Sequence, residues 1–296
     1  MNKKRFHKLL AVIHPQTGNK LFGNFEDDFK EYCEEKNYTG LIYHTTGEGD
    51  LLKLRELFYE EKPDLLIAAG GDGTVSLCGN AVLGTNTPLA IFAAGSTNGL
   101  AKELEIPLSS TDALDLIENG KLKTIDTLKI NGKNSFHISD LGFNARILKR
   151  VSKSNIKGRL SYLIHSLREF FSYSPKKYEV ITEDKHFKGK ALMLIITNSR
   201  GFGYNLKVNP EGKIDDGIFE ICIIRRFNKL HVFKMLYRVY SKTLHKSRYA
   251  KIIKAKKATI INIKSGEIHI DGEPVEMGKK ITAEINPASL KILVPA

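Results

Sequence analysis

The chain has 296 residues and a mass of 33.2 kDa, with 42% apolar and 27% charged residues. This composition excludes wholesale disorder and leaves room for one large domain or two ordinary ones. Cys33, Cys78 and Cys222 are too few and too scattered for a disulfide framework or a four-thiolate metal site, and no apolar run approaches the ~20 residues of a spanning helix. The N-terminus, MNKKRFHKLLAVIHP, starts like a signal peptide, but its apolar stretch stops at His14-Pro15. Net charge is +13 and unevenly placed: residues 1–125 carry 13 basic and 18 acidic side chains, residues 126–296 carry 33 and 15. From Ile221 to Gly266 there are 13 basic residues and no acidic one. Such a surface suits an anionic partner (nucleic acid, nucleotide phosphates or an anionic membrane), with plain solubility as the alternative.

In chain order, Lys8–His14 (KLLAVIH) predicts a strand, Leu21–Lys36 a helix, Leu41–His44 a short strand, and Asp50–Glu60 a helix with Leu51, Leu54, Leu57 and Phe58 at helical spacing. Asp64–Ala69 predicts a buried strand stopped by Gly70-Gly71, Val75–Leu83 a short helix, Pro88–Ala93 a strand, and Asn98–Leu104 a further helix. Ser110–Glu118 is a helix with Ser/Thr caps and a Gly120 stop. Strand–helix alternation of this kind predicts a parallel sheet covered on both faces.

After Lys121 the pattern changes. Lys123–Ile130 alternates into Asn131-Gly132, a strong hairpin signal, with Ser135–Phe143 as the return strand. Helices follow over Arg146–Lys153 and Leu160–Tyr173, then strands over Tyr178–Glu183, Leu192–Thr197 and Phe219–Ile224. Phe227–Leu244 reads as a helix with Phe227, Leu230, Phe233, Tyr237, Tyr240 and Leu244 on one stripe, facing the core by preference and lipid as the alternative. Strands over Ala258–Ile263, Glu267–Asp271 and Lys280–Ile285 and a last apolar run, Ser289–Val294, complete a mostly antiparallel β domain. The boundary falls near Gly120–Asp126.

Gly70-Gly71-Asp72-Gly73-Thr74 sits where a phosphate site belongs, after a buried strand and before a helix. Glycines let backbone amides approach an anion, and a helix N-terminus adds positive partial charge. Asp72 fits that role if a cation such as Mg²⁺ lies between it and the phosphates; the alternative is a tight turn with a capping Asp. A second loop, Ala94-Gly95-Ser96-Thr97-Asn98-Gly99, also follows a strand. Ser96, Thr97 and Asn98 offer donors to a ligand or caps to the helix. A third, His14-Pro15-Gln16-Thr17-Gly18-Asn19, is an ordinary turn taken alone. Loops at successive strand ends converge at the carboxyl edge of a sheet, where open α/β sheets bind ligands.

These loops, followed in order by Asn209–Gly217 (NPEGKIDDG) and Asp271-Gly272-Glu273, resemble the diacylglycerol kinase catalytic-domain superfamily, which includes bacterial diacylglycerol kinases and sphingosine kinases. The resemblance covers essentially the whole chain. It implies a phosphofructokinase/NAD-kinase-like α/β nucleotide domain over residues 1–122, to which 287–296 return, and an antiparallel β-sandwich lipid-substrate domain over 123–286. It implies an ATP-dependent, Mg²⁺-using lipid kinase acting on a diacylglycerol-like hydroxyl. Carried over by position, Thr45 lies near the nucleotide, and Gly70, Gly71, Asp72, Gly73, Thr74, Val75, Ser76, Ser96 and Asn98 bind it. The carbonyls of Lys213 and Ile218 and the Asp216 side chain hold a structural Mg²⁺, for which an Asp capping its own turn is the alternative. Glu273 is the general base with Asp271 as its neighbour, and Asp72 serves catalysis. On an extended segment the two carboxylates point to one side; a twist at Gly272 would make Asp271 the base instead, and a surface turn of an antiparallel sheet is the alternative.

The chain departs from the family pattern at His14, where Asn is usual, and at Gly99, where Asp is usual. Arg146, near Gly142-Phe143, argues against a cationic lipid amine. The expected partners are a membrane lipid and an anionic membrane, touched peripherally by a cytoplasmic protein at the inner membrane face, with no nucleic acid; a homodimer is compatible. A non-catalytic regulator of the same fold and an NAD kinase are the alternative functions.

Overall fold

In a computed structural model of the protein, residues 5–15, 25–152, 165, 172–201, 208–262 and 266–296 are described. The chain divides into two units, residues 1–125 with 288–296, and residues 126–287.

The first unit is built on a parallel sheet. Strand β1 (Lys8–Ile13) lies between β2 (Thr39–His44) and β3 (Leu65–Gly70), and β3 pairs in parallel with β4 (Leu89–Ala93). The last strand, β15 (Lys280–Val294), adds to β4 in parallel at Ile292. Every residue of β3 and β4 is buried, as continuous apolar runs in a two-sided sheet require. The connecting helices are α1 (Phe25–Lys36), α2 (Asp50–Glu61), α3 (Asp72–Val82), α4 (Gly99–Glu103) and α5 (Ser110–Asn119). Helix α5 is capped by the Ser109 hydroxyl, which accepts from the Asp112 amide. Phe29 and Cys33 of α1 and Ala113, Leu114 and Ile117 of α5 pack on the sheet with Leu9, Leu65, Ile67 and Phe92. The carboxyl ends of β1 to β4 therefore lie on one edge.

The second unit is antiparallel. β5 (Lys121–Ile130) enters it and turns at Asn131-Gly132 into β6 (Lys133–Ser135), with both turn residues at positive φ, the type I′ geometry that the dipeptide predicted. The long β9 (His186–Thr197) pairs with β7 (Ile138–Gly142), β8 (Lys176–Thr182) and β10 (Phe219–Arg225). β10 continues to β11 (Ala250–Ala255), β8 to β12 (Lys257–Asn262), and β7 to the hairpin of β13 (Gly266–Ile270) and β14 (Glu273–Met277). Helices α6 (Phe143–Ser152) and α7 (Val232–Tyr240) are inserted. One core joins Leu141, Tyr178, Val180, Leu194, Phe219, Ile221, Ile260 and Ile281; a second, smaller one gathers Ile138, Ile195, Cys222, Ile224, Met235 and Leu244.

Several expectations need correction. The predicted return strand Ser135–Phe143 is broken in two: β6 ends at Ser135, and the amides of Phe136, His137 and Ile138 leave the ladder to bind a carboxylate described below. The two apolar runs at the end form one strand, β15, which passes Pro287 with Ala288 at φ 46°. β11 and β14 were not predicted. The stripe on Phe227–Leu244 does not face the core as a whole: Phe227 and Leu244 pack inward, whereas Leu230, Phe233, Tyr237 and Tyr240 are exposed. The predicted helix Leu160–Tyr173 falls almost wholly outside the described residues, as do Gln16, Thr17, Gly18 and Asn19.

Candidate active site

At the carboxyl edge of the parallel sheet, the loop after β1 meets the loop after β2. The His14 amide donates to the Ala69 carbonyl (3.3 Å), and His14 Nδ1 lies 2.8 Å from Thr45 Oγ1. The Thr45 amide donates to the Ile13 carbonyl at 2.9 Å. Asp50 closes the loop that follows, accepting from the amides of Thr46 (2.9 Å) and Gly47 (2.7 Å), the Thr46 hydroxyl (3.1 Å) and the Tyr43 hydroxyl (2.8 Å). Burial pushes the Asp50 carboxyl up, but these donors outweigh it and hold its pKa at about 2. The Asp50 carboxylate thus shapes the loop that carries Thr45.

The two glycine loops are pressed back to back. A Cβ on Gly95 would stand 2.5 Å from Gly71 Cα, and one on Gly70 would stand 2.2 Å from Thr74 Oγ1, so neither position admits a side chain without displacement. Gly73 faces open space. Asp72 Oδ1 accepts from the Gly99 amide at 2.7 Å and ties the first loop to the second. This places the first turn of α3, whose leading amides have no carbonyl partners within the helix, beside exposed Ser96. Two predicted contacts change role. The Val75 amide donates to the Gly71 carbonyl (3.1 Å) and its side chain is buried, so it offers no donor to a nucleotide. Asn98 is buried at φ 50°, with its oxygen accepting from the Gly95 amide (2.9 Å) and its Nδ2 donating to the Ala93 carbonyl (3.2 Å). It folds its own loop instead of capping α4. Thr74 is likewise buried against Gly70.

In the second unit, the DDG turn is held by Asp126, which sequence reasoning missed. Its Oδ2 accepts from the Gly217 amide at 2.7 Å, and its own amide donates to the Ile214 carbonyl at 2.9 Å. Asn198 Nδ2 donates to the carbonyls of Asp126 and Ile214. Asp216 is exposed and accepts from the Ile218 amide at 3.3 Å, the self-capping arrangement weighed as the alternative. Among the described residues no cluster of three or more His, Cys, Asp or Glu could hold a metal. One carboxylate with main-chain carbonyls is a donor set that suits a hydrated Mg²⁺, and exposed Asp216 could supply the carboxylate. Close by, Glu220 is buried with neither carboxylate oxygen hydrogen-bonded. Burial raises its pKa to about 7, against the lowering influence of Asn209 and Lys254. Asn209 Nδ2 also lacks a well-formed hydrogen bond, so the two groups are near one another without satisfying each other.

The Asp271-Gly272-Glu273 segment is not extended. Asp271 (φ 46°) and Gly272 (φ 105°) are the two central residues of a type I′ turn, and Ile270 pairs with Glu273 across it. Asp271 is buried and fully engaged. Its Oδ1 accepts from Ser135 Oγ (3.1 Å) and the amides of His137 and Ile138 (both 3.0 Å), and its Oδ2 from the Phe136 amide (2.6 Å). The expectation of two carboxylates aimed to one side therefore fails. Asp271 anchors the turn, and Glu273, at the first position of β14, is exposed. Beneath the turn lies a buried polar group that the sequence did not reveal. Asp140 Oδ2 accepts from Asn144 Nδ2 at 2.7 Å and lies 3.2 Å from His269 Nδ1, at ion-pair distance but out of line for a hydrogen bond. Burial, with His269 nearby, lowers the His137 pKa to about 4, so that ring is neutral near pH 7.

Comparisons with known proteins agree with this architecture. Residues 8–130 match the family "diacylglycerol kinase catalytic domain", and residues 138–294 match the "YegS C-terminal NAD kinase beta sandwich-like domain". A diacylglycerol kinase of Bacillus subtilis is 24% identical over 88% of this chain and 88% of its own length, and one of Staphylococcus epidermidis is 26% identical over 88% and 84%. In fold, the chain is similar to the crystal structure of a diacylglycerol kinase from Bacillus anthracis, with a TM-score of 0.76 over 99% of this chain and 98% of that one, at 20% identity. With its two parts matching these two domains in order, the chain belongs to the diacylglycerol kinase family of phosphotransferases.

Proposed function

We propose that the protein is an ATP-dependent lipid kinase that phosphorylates a hydroxyl of a diacylglycerol-like lipid. The observation that carries this reading is the contact of Gly71 against Gly95 beside the N-terminus of α3. Open space lies around Gly73, and Ser96 is exposed on the facing loop, an arrangement at a helix N-terminus that suits the phosphates of a nucleotide. His14 and Thr45 lie on the same edge of the sheet. In the second unit Glu273 is exposed on a turn that Asp271 holds rigid.

As the lipid oxygen attacks the γ-phosphorus, its proton passes to the Glu273 carboxylate and the bond between the γ-phosphorus and the bridging oxygen of ADP breaks. Magnesium, when bound, neutralises charge on the phosphates; Asp72 would face the nucleotide's ion, and Asp216 with the Lys213 and Ile218 carbonyls would hold a structural one. The substrate resides in a bilayer, so the enzyme works peripherally at an anionic membrane, from the cytoplasm at the inner membrane face. The relatives named diacylglycerol kinase support the substrate class. The test is turnover with ATP-Mg²⁺ on detergent-dispersed lipids: phosphorylation of diacylglycerol supports the reading, and its absence across neutral and anionic lipid hydroxyls in folded protein refutes it.

A further inference from the structure

We propose that helix α7, together with the 3-10 turn Lys229–His231 that leads into it, is a docking element that inserts into a bilayer containing anionic lipids. The proposal deepens the lipid-kinase reading and rests on it for the purpose of docking, but not for the docking itself.

Leu230 is 84% exposed, Phe233 79%, Tyr237 71% and Tyr240 76%. At 100° per residue these four fall within an arc of about 80°, forming one continuous ridge. Met235 lies on the opposite side and is buried, where its sulfur accepts from the Ser247 hydroxyl at 3.7 Å. The helix is thus fastened through Met235 while its aromatic ridge is turned to solvent. Scattered exposed apolar residues are ordinary, but four large ones aligned on one short element are an unfilled interface.

Charge complementarity identifies the occupant. Arg225, Arg226, Lys234, Lys242, Lys246 and Arg248 are all exposed, and the stretch from Ile221 to Gly266 contains no acidic residue. Arg225, at the end of β10, donates its amide to the Tyr249 carbonyl, and Arg248, just before β11, lies over the Tyr249 ring at 4.8 Å, so these cations are held on the segments that flank the helix. A second copy of the chain would bring two such cationic faces together and is disfavoured. An anionic bilayer satisfies both features: lipid headgroups meet the cations while Leu230 and Phe233 enter the acyl boundary and the tyrosines lie at headgroup level.

The chain has no tryptophan, so Phe233→Trp supplies a sole reporter. With vesicles of phosphatidylcholine and phosphatidylglycerol its emission shifts to the blue and is quenched by lipids brominated in the acyl chain; with phosphatidylcholine alone neither occurs. In parallel, Leu230→Ser with Phe233→Ser and Tyr237→Ser lowers partitioning to the mixed vesicles by about tenfold or more, while turnover on detergent-dispersed lipid is unchanged. Tryptophan emission that stays unshifted on vesicles with which the protein sediments overturns the proposal. So does a triple variant that binds as wild type does, or a shift that follows protein concentration without vesicles, which would reveal self-association. Binding is read without ATP and turnover without vesicles, so a protein that docks through α7 yet phosphorylates no lipid refutes the kinase reading alone.

Discussion

Replacing Asp271 separates an anchoring role from a catalytic one. Asp271→Ala removes the acceptor of three buried amides, those of Phe136, His137 and Ile138, and of the Ser135 hydroxyl. Each stranded amide costs about 1 kcal/mol at the low end, and alanine at a φ of 46° adds about 1 kcal/mol, for a total of about 4 kcal/mol. In a unit of this size that lowers the melting temperature by about 8–16 °C. Asp271→Asn tolerates the left-handed turn and keeps one acceptor oxygen, but sets an amide N–H against the Phe136 N–H, costing about 2 kcal/mol. Melting followed by circular dichroism, with turnover measured below both transitions, gives the comparison. Folded Asp271→Asn should keep most of its activity, whereas Glu273→Gln should lose about 10²–10⁴-fold with an unchanged melting temperature. An Asp271→Asn protein that melts like wild type and is inactive would refute the anchor and return that carboxylate to the chemistry.

The other predictions follow from close contacts and burial. Gly95→Ala drives a methyl into the backbone of Gly71, so the two loops must part; the KM for ATP should rise with kcat less affected, and an unchanged KM would show that the loops do not hold the nucleotide. Glu220 has a folded-state pKa of about 7 against about 4.3 unfolded, so the native state favours the proton, and stability falls as pH rises between those values. Glu220→Gln should abolish that slope and stabilise the protein at pH 8 by about 2–3 kcal/mol; a slope identical to wild type in denaturant titrations would contradict it. Asp216→Ala should erase any rise in melting temperature on adding Mg²⁺ while leaving nucleotide affinity intact, and a mutant that responds to Mg²⁺ as wild type does would remove Asp216 from metal binding.

The sequence was most legible where local pattern and tertiary surroundings agree. The fully apolar runs of β3 and β4 and the glycines that end them could be read directly, because a buried parallel strand tolerates no polar residue and a close backbone contact tolerates no Cβ. Asn131-Gly132 announced its hairpin, whereas in Asp271-Gly272, an equally strong type I′ signal, local pattern does not separate a carboxylate that holds a turn from one that takes a proton. Helical spacing showed that Leu230 to Tyr240 share a face, but periodicity does not say what covers a face, and here Phe227 and Leu244 go inward while the residues between them do not. Lys280–Ile285 and Ser289–Val294 read as separate runs, but β15 joins them through Pro287, where its pairing changes from β12 to β4 and a missing ladder bond is tolerated. Within the site, the glycine loops that the sequence placed at strand ends lie there, but the partners of their side chains were not legible. Asn98 and Val75 look like ligand contacts in one dimension and are loop scaffolding in three. Glu220 carried a usable signal, a carboxylate inside the apolar run Phe219–Ile224, which only burial makes significant.

The central claim is phosphoryl transfer from ATP to a lipid hydroxyl, and it is tested most directly by following the γ-phosphoryl group. Protein, Mg²⁺ and ATP labelled in that group are incubated with dispersed diacylglycerol, and the mixture is partitioned between organic solvent and water. Label should move to the organic phase as a lipid phosphomonoester, with transfer lost in Glu273→Gln and in Asp72→Ala. Label that stays in the aqueous phase with folded wild-type protein would contradict the account.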